Sequence, residues 1–154
     1  MFRVKFTQLF YSKSQFVKND IPFIPVTGVS VVVAPADEHL PADTQLLWQV
    51  YLLNTNDFAL ENVIVNANGY GLNAEGEKVR TSTLRYLFAV VPPHTAVPVE
   101  PIESALFHLN NQYWVSYYHG PQIFDKKFTF VPDSIVSANL TPVALIQRLG
   151  ILHS

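Results

Sequence analysis

The chain has 154 residues and a formal net charge of −2, with 14% charged and 13% aromatic residues. It contains no cysteine, which excludes disulfides, thiolate metal sites and thiol catalysis. No stretch approaches the roughly 18 uninterrupted apolar residues of a membrane-spanning helix, which excludes a span of that kind.

The first 26 residues are predicted to form an arm or first strand followed by an extended connector. Apolar and polar residues alternate over residues 2–7, as in a half-buried strand. Residues 1–19 carry four bases and no acid, whereas the remainder carries six bases and twelve acids. The arm is therefore expected to dock on its own domain or on a neighbouring copy, unless it is simply the first strand of a monomer. The candidate interface residues are Phe2, Val4, Phe6 and Phe10.

Residues 27–132 show a series of strand patterns separated by turn signals, with no long helix between them. Such a series predicts an antiparallel β-sandwich of seven or eight strands. The second strand is apolar on both faces around Trp48, which is therefore expected in the core. The fifth strand is flanked by prolines, as is typical of a sheet edge. The predicted strands cover residues 29–34, 45–53, 62–70, 78–91, 96–100, 113–119 and 123–131.

The C-terminal residues 133–154 are predicted to form a segment with a short helix. Thr141 is a suitable N-cap, Pro142 suits the first helical position, and Gly150 follows as a stop signal. We expect the helix to pack on the sandwich and the whole chain, residues 1–154, to form one domain.

Three segments within residues 48–101 resemble the middle of immunoglobulin-like modules. Residues 48–54, Trp-Gln-Val-Tyr-Leu-Leu-Asn, resemble their strand that ends in asparagine. Residues 60–65 resemble the returning strand with its Asn-Val step, and residues 90–99 resemble the proline-led entry to the next strand. The resemblance implies an immunoglobulin-like fold and no catalytic residue, because a fold does not determine a function.

The strand at residues 113–119 is rich in aromatic residues. Alternation sends Tyr113 and Tyr117 to one face and Trp114 and Tyr118 to the other. One pair is expected in the core, and an exposed pair can stack a sugar ring, a base or a proline-rich peptide. The alternative is that the arm or the terminal helix covers it. The candidate ligand-binding residues are Trp114 and Tyr118.

The polar residues form no recognisable catalytic or metal-binding motif. Glu100 and Glu103 lie close in sequence but near turns, so they are interpreted as solvated. A metal site would need His94, His108 and His119 to converge with acids at one end of the sandwich. We expect no metal and no cofactor. We also expect no nucleic-acid partner, since the sequence lacks the basic stripe that would neutralise phosphates.

The composition favours a role in association. An ordinary soluble domain has about 25% charged residues, whereas this chain has 14%. We therefore expect some apolar surface to remain exposed after folding. The favoured hypothesis is a non-enzymatic interaction or structural module that self-associates or holds a protein partner. The alternative is a small-ligand or carbohydrate binder that uses the exposed aromatics, and a more distant one is a metal-dependent hydrolase. The start of the chain shows no secretory signal, which together with the absence of cysteine predicts a cytoplasmic protein.

Overall fold

Segments rich in valine, other β-branched residues and aromatics form strands, as their propensities favour. The computed structural model describes residues 24–154, and these residues form ten strands joined by turns and 3₁₀ segments. The strands are β1 (Val29–Pro35), β2 (Leu47–Asn54), β3 (Leu60–Leu72), β4 (Lys78–Arg80), β5 (Leu84–Val91), β6 (Thr95–Glu103), β7 (Asn110–His119), β8 (Gln122–Phe130), β9 (Thr141–Val143) and β10 (Arg148–His153).

The strands form two antiparallel sheets. Sheet I has the order β6-β2-β1-β10-β9. In sheet II, β3 pairs with β7, which pairs with β8. The other edge of β3 pairs with β5 along one part of its length and with β4 along the next. Among the described residues, no helix is long and apolar enough to cross a membrane.

The predicted all-β class is confirmed, and each of the seven predicted strand segments within residues 29–131 contains a strand. The number of strands differs from seven or eight for two reasons. Residues 81–83 interrupt the segment predicted as one strand and separate β4 from β5. The C-terminal residues add β9 and β10 to sheet I.

The predicted C-terminal helix is wrong. Thr141 and Pro142 lie in β9, Ala144–Ile146 form a single 3₁₀ turn, and Gln147 reverses the chain with φ +55°. β10 then pairs with both β9 and β1. Burial of apolar side chains overrides the local capping signal, because Val143 is buried on the outer face of sheet I and Ile151 in the core between the sheets.

The core lies between the two sheets and is almost entirely apolar. Trp48 is 2% exposed, which confirms its predicted core position, and its ring meets Phe107 edge to face at 5.4 Å between centroids. Large core side chains come from both sheets, among them Val50 and Leu52 of sheet I and Val63, Val65, Tyr113 and Phe128 of sheet II.

The outer face of sheet I is covered in part by the chain's own C-terminal segment, although Leu152, which pairs with Val32, stays 47% exposed. Val32 and Leu53 point away from the main core, yet they are buried with Val143 in a second apolar cluster. Leu145 and Ile146, in the turn between β9 and β10, pack against this cluster. The consecutive apolar residues of β1 therefore reflect burial on both faces of the strand.

Candidate functional site

The outer face of sheet II carries the two candidate aromatic residues. Along β7, Tyr113 and Tyr117 are buried in the core, at 1% and 2% exposure, whereas Trp114 and Tyr118 are each 39% exposed. The strand therefore divides its aromatics between the two faces, as the alternation predicts. The described residues place no helix over the outer pair.

The surroundings of Trp114 are polar. In sheet register it lies between Asn66 of β3 and Lys127 of β8. The Lys127 Nζ is 4.5 Å from the centroid of the Trp114 ring, a cation–π arrangement. Arg85 of β5 donates from Nε to Asn66 Oδ1 at 3.1 Å. The indole is therefore exposed, but an ammonium group already occupies part of its face.

The surroundings of Tyr118 are apolar. Tyr118 pairs with Ile123 on one side and Glu61 on the other, and Glu61 pairs with Val90. Leu87 of β5 is 70% exposed, while Val90 and Ile123 are each 53% exposed. We define the sheet II patch as Leu87, Val90, Trp114, Tyr118 and Ile123. Isolated exposed apolar residues are ordinary, but neighbouring ones on a single face mark interaction surfaces.

A β-bulge in β3 helps to shape this face. The pairing of β3 with β7 shifts between Glu61 and Ile64, and Asn62 has φ +49°. Asparagine tolerates this left-handed conformation better than most residues. The extra residue puts Glu61 and Ile64 on the same outer face although they are three positions apart.

A cleft of about 380 Å³ opens between the sheets, where β6 faces the break between β4 and β5. The carboxylate of Glu100, on β6, accepts hydrogen bonds from Tyr86 at 2.6 Å and from Tyr113 at 2.8 Å. These two bonds connect sheet I to two strands of sheet II. Glu100 is therefore not merely solvated, and that interpretation of the sequence was wrong.

The chemistry around Glu100 favours a structural role for the two tyrosines. Burial, and then the hydrogen bond to Glu100, raises the pKa of Tyr86 to about 12. Burial and the nearby Glu100 charge also raise the pKa of Tyr113 well above its usual value. Both hydroxyls therefore remain protonated donors near neutral pH, and neither is an activated nucleophile.

The histidines considered as metal ligands do not converge. His94 Nε2 lies 2.7 Å from Asp57 Oδ1, and the ring of His119 stacks on Phe58. His108 bonds the carbonyl oxygen of Ala105, at the opposite end of the sandwich. Within residues 24–154, no group of three histidine, aspartate or glutamate side chains is placed to share a metal ion.

The remaining predicted site residues lie outside the described part of the chain. These are Phe2, Val4, Phe6 and Phe10 of the N-terminal arm.

Sequence reasoning missed Leu87, Val90 and Ile123 as members of the exposed face. Residues 86–91 are all apolar or aromatic, a composition that is typical of a buried strand. The only signal against burial was Arg85 at the start of this run.

The comparisons with known proteins identify no relative: no family model, no curated protein and no solved structure matches the chain.

Proposed function

We propose that the chain is a non-enzymatic protein-interaction module with an immunoglobulin-like fold, and that it self-associates through sheet II. The strand order supports the fold assignment. In this proposal β1, β2 and β6 correspond to strands A, B and E, and β3, β7 and β8 correspond to C, F and G. β5 then takes the position of the additional strand beside C that variable-type domains have.

The exposed apolar side chains on the outer face of sheet II carry the functional proposal. On sheet I, the chain buries Val32 and Leu53 under its own C-terminal segment. On sheet II, the equivalent face leaves Leu87, Val90 and Ile123 more than half exposed. Burying apolar surface contributes about 25 cal/mol per Å², so a partner that covers this patch gains free energy that the monomer does not. A second copy of the chain is the partner that we propose.

Sedimentation of the full chain over a wide concentration range tests this function. We expect a concentration-dependent species with twice the mass of the chain. Leu87→Asp should shift that species to the monomer, because burying an unpaired carboxylate in an apolar contact is costly. Leu46→Asp is the matched control, since Leu46 is 79% exposed but lies outside sheet II. A full chain that sediments only as a monomer refutes the proposal.

A second candidate function is carbohydrate or small-ligand binding by Trp114 and Tyr118. Both are half-exposed on one face, and Asn66 and Gln112 lie beside Trp114 on that face as hydrogen-bonding amides. The two aromatics are four residues apart on one strand, or about 13 Å, which suits an oligosaccharide better than one sugar ring. A sugar ring that stacks on Trp114 has to displace the Lys127 ammonium group from the face of the indole.

Tryptophan fluorescence during titration with a panel of oligosaccharides tests this candidate. A saturable change that is lost in Trp114→Ala, and strengthened in Lys127→Ala, supports it. The absence of any saturable change across the panel removes it.

A further inference from the structure

The free edge of β5 differs from the other sheet edges formed by the described residues. Protein sheets usually protect an edge with proline, charge, a bulge or a very short strand. β6 has Pro98 and Pro101, and β9 has three residues including Pro142. β8 carries three consecutive charged residues, one of which, Lys126, lies on the inner face opposite Val115. These edges are therefore poor templates for pairing with another strand.

β5 is neither short nor protected by proline or a run of charges, although its alternation breaks at Ala89–Val90, beside the bulge of β3. Its sequence is Leu-Arg-Tyr-Leu-Phe-Ala-Val-Val, with no proline and a single charge, Arg85. Its pairing with β3 keeps one register from end to end. Among the described residues, β3 is the partner on one edge and no strand pairs with the other. Within residues 24–154, the backbone groups on that second edge have no strand partner and can pair with another chain.

We propose that β5 of one copy pairs antiparallel with β5 of a second copy, so that two sheets II join into one continuous sheet. This inference rests on the proposed self-association and places it at the edge of sheet II, where the two copies of Leu87 meet; the other patch residues stay on the outer face of the joined sheet. In closed dimers the same residues of both copies form the interface, so the strand must be complementary to itself.

One register makes β5 complementary to itself. When Leu87 lies opposite Leu87 of the second copy, Tyr86 lies opposite Phe88 and Arg85 opposite Ala89. Leu87 is on the outer face in both copies, whereas Tyr86 and Phe88 are half-buried on the inner face. Each facing pair therefore shares a face, and the inner pairs are aromatic, a combination that stabilises antiparallel strands.

The charges also suit this register. The two copies of Arg85 lie about 13 Å apart along the strands, beyond a Debye length of about 8 Å. Ala89 of the second copy is small and leaves space above it. Beyond it, on the next strand, lies Asn62 of the second copy, and Glu61 is one position further along, with about 10 Å between its Cα and that of Arg85. Both side chains are exposed on the outer face, so each dimer can form two Arg85–Glu61 pairs between copies.

Cysteine cross-linking tests the pairing without background, because the chain has no cysteine of its own. Opposed Cα atoms in antiparallel strands lie about 4.5–5.5 Å apart, a distance that a disulfide spans. We expect oxidised Leu87→Cys to run as a covalent dimer. Leu46→Cys, at a position outside sheet II that is even more exposed than Leu87, should stay monomeric under the same conditions.

A mixing experiment tests the register. Arg85→Cys and Ala89→Cys should each remain monomeric when oxidised alone, since like positions lie about 13 Å apart. An equimolar mixture of the two should form the covalent dimer. This pattern supports antiparallel pairing at β5 and is not produced by two sheet faces packing on each other.

The outcomes separate this inference from the proposed function. If the full chain dimerises but Leu87→Cys cross-links no better than Leu46→Cys, the pairing at β5 is wrong and self-association uses another surface. The inference is also overturned if Arg85→Cys cross-links with itself as readily as with Ala89→Cys. A chain that is monomeric at every concentration overturns both proposals.

Discussion

Replacing Glu100 by alanine removes the acceptor of two tyrosine hydroxyls that connect the sheets. A hydrogen bond to a charged group contributes about 1.5–3 kcal/mol, and a buried donor left without a partner costs about 1–3 kcal/mol. Tyr113 is 1% exposed, so its buried hydroxyl loses the carboxylate that accepts its hydrogen bond. Tyr86 is only half-buried, so losing its hydrogen bond to Glu100 should cost about 1 kcal/mol. Glu100→Ala should therefore lower the free energy of unfolding by about 3–4 kcal/mol.

Urea unfolding followed by tryptophan fluorescence measures this change. With a slope of about 1–3 kcal/mol per molar, the midpoint should fall by at least about 1 M while the slope stays unchanged. Glu103→Ala is the matched control, because Glu103 is an exposed glutamate on the same strand and lines the same cleft. Its effect should stay within about 0.5 kcal/mol.

A double-mutant cycle with Tyr113→Phe isolates the bond between the sheets. The two substitutions should be non-additive by about 1–2 kcal/mol, since both remove the same hydrogen bond. The reasoning is refuted if Glu100→Ala is no more destabilising than Glu103→Ala, because Glu100 would then be solvated after all.

Three further predictions follow from the fold. Trp48→Ala should lower the free energy of unfolding by about 3–5 kcal/mol, since it empties a fully buried site, whereas Leu46→Ala should change it little in the same urea titration. Asn54 is fully buried and donates to the carbonyl oxygens of Phe58, Val91 and Pro92, so Asn54→Ala should lower the free energy of unfolding by about 2–4 kcal/mol in the same titration. Burial raises the pKa of Tyr86, helped by Glu100, and of Tyr117 to about 12. A raised pKa means that ionising these hydroxyls costs more in the folded than in the unfolded state, so the free energy of unfolding should hold below pH 10 and fall between pH 10 and 12. Tyrosinate absorbance that titrates fully near pH 10 in the native protein contradicts this prediction.

The local sequence pattern predicted where most strands lie but could not predict which strands pair with each other. Residues 78–91 carried a strand signal throughout, and most of them do lie in strands. The break at residues 81–83 depends on how β3 shares one edge between β4 and β5, which no local periodicity records. The apolar run after Arg85 likewise looks like a buried strand, although its position at a sheet edge leaves Leu87 and Val90 exposed.

The candidate site was predicted only in part for the same reason. Alternation along residues 113–119 correctly separated Trp114 and Tyr118 from the core pair. It could not show that Lys127 would lie over the indole, because that contact joins two strands. The hydrogen bonds of Glu100 join three strands from two sheets, so proximity in sequence to Glu103 carried no information about them.

The amino-acid sequence by itself determined the β-class, the positions of most strands and the burial of Trp48, because period-two alternation and β-branched residues act over a few neighbouring positions. Only the tertiary structure decided that residues 141–153 form strands instead of a helix. There, burial of Val143 on the outer face of sheet I and of Ile151 in the core outweighs an N-cap and a stop signal, since a cap contributes about 1 kcal/mol and a buried apolar side chain about 1.5–3 kcal/mol. The packing of Val143 also buries Val32 and Leu53 on the outer face of sheet I, whereas Leu87 and Val90 of sheet II stay exposed.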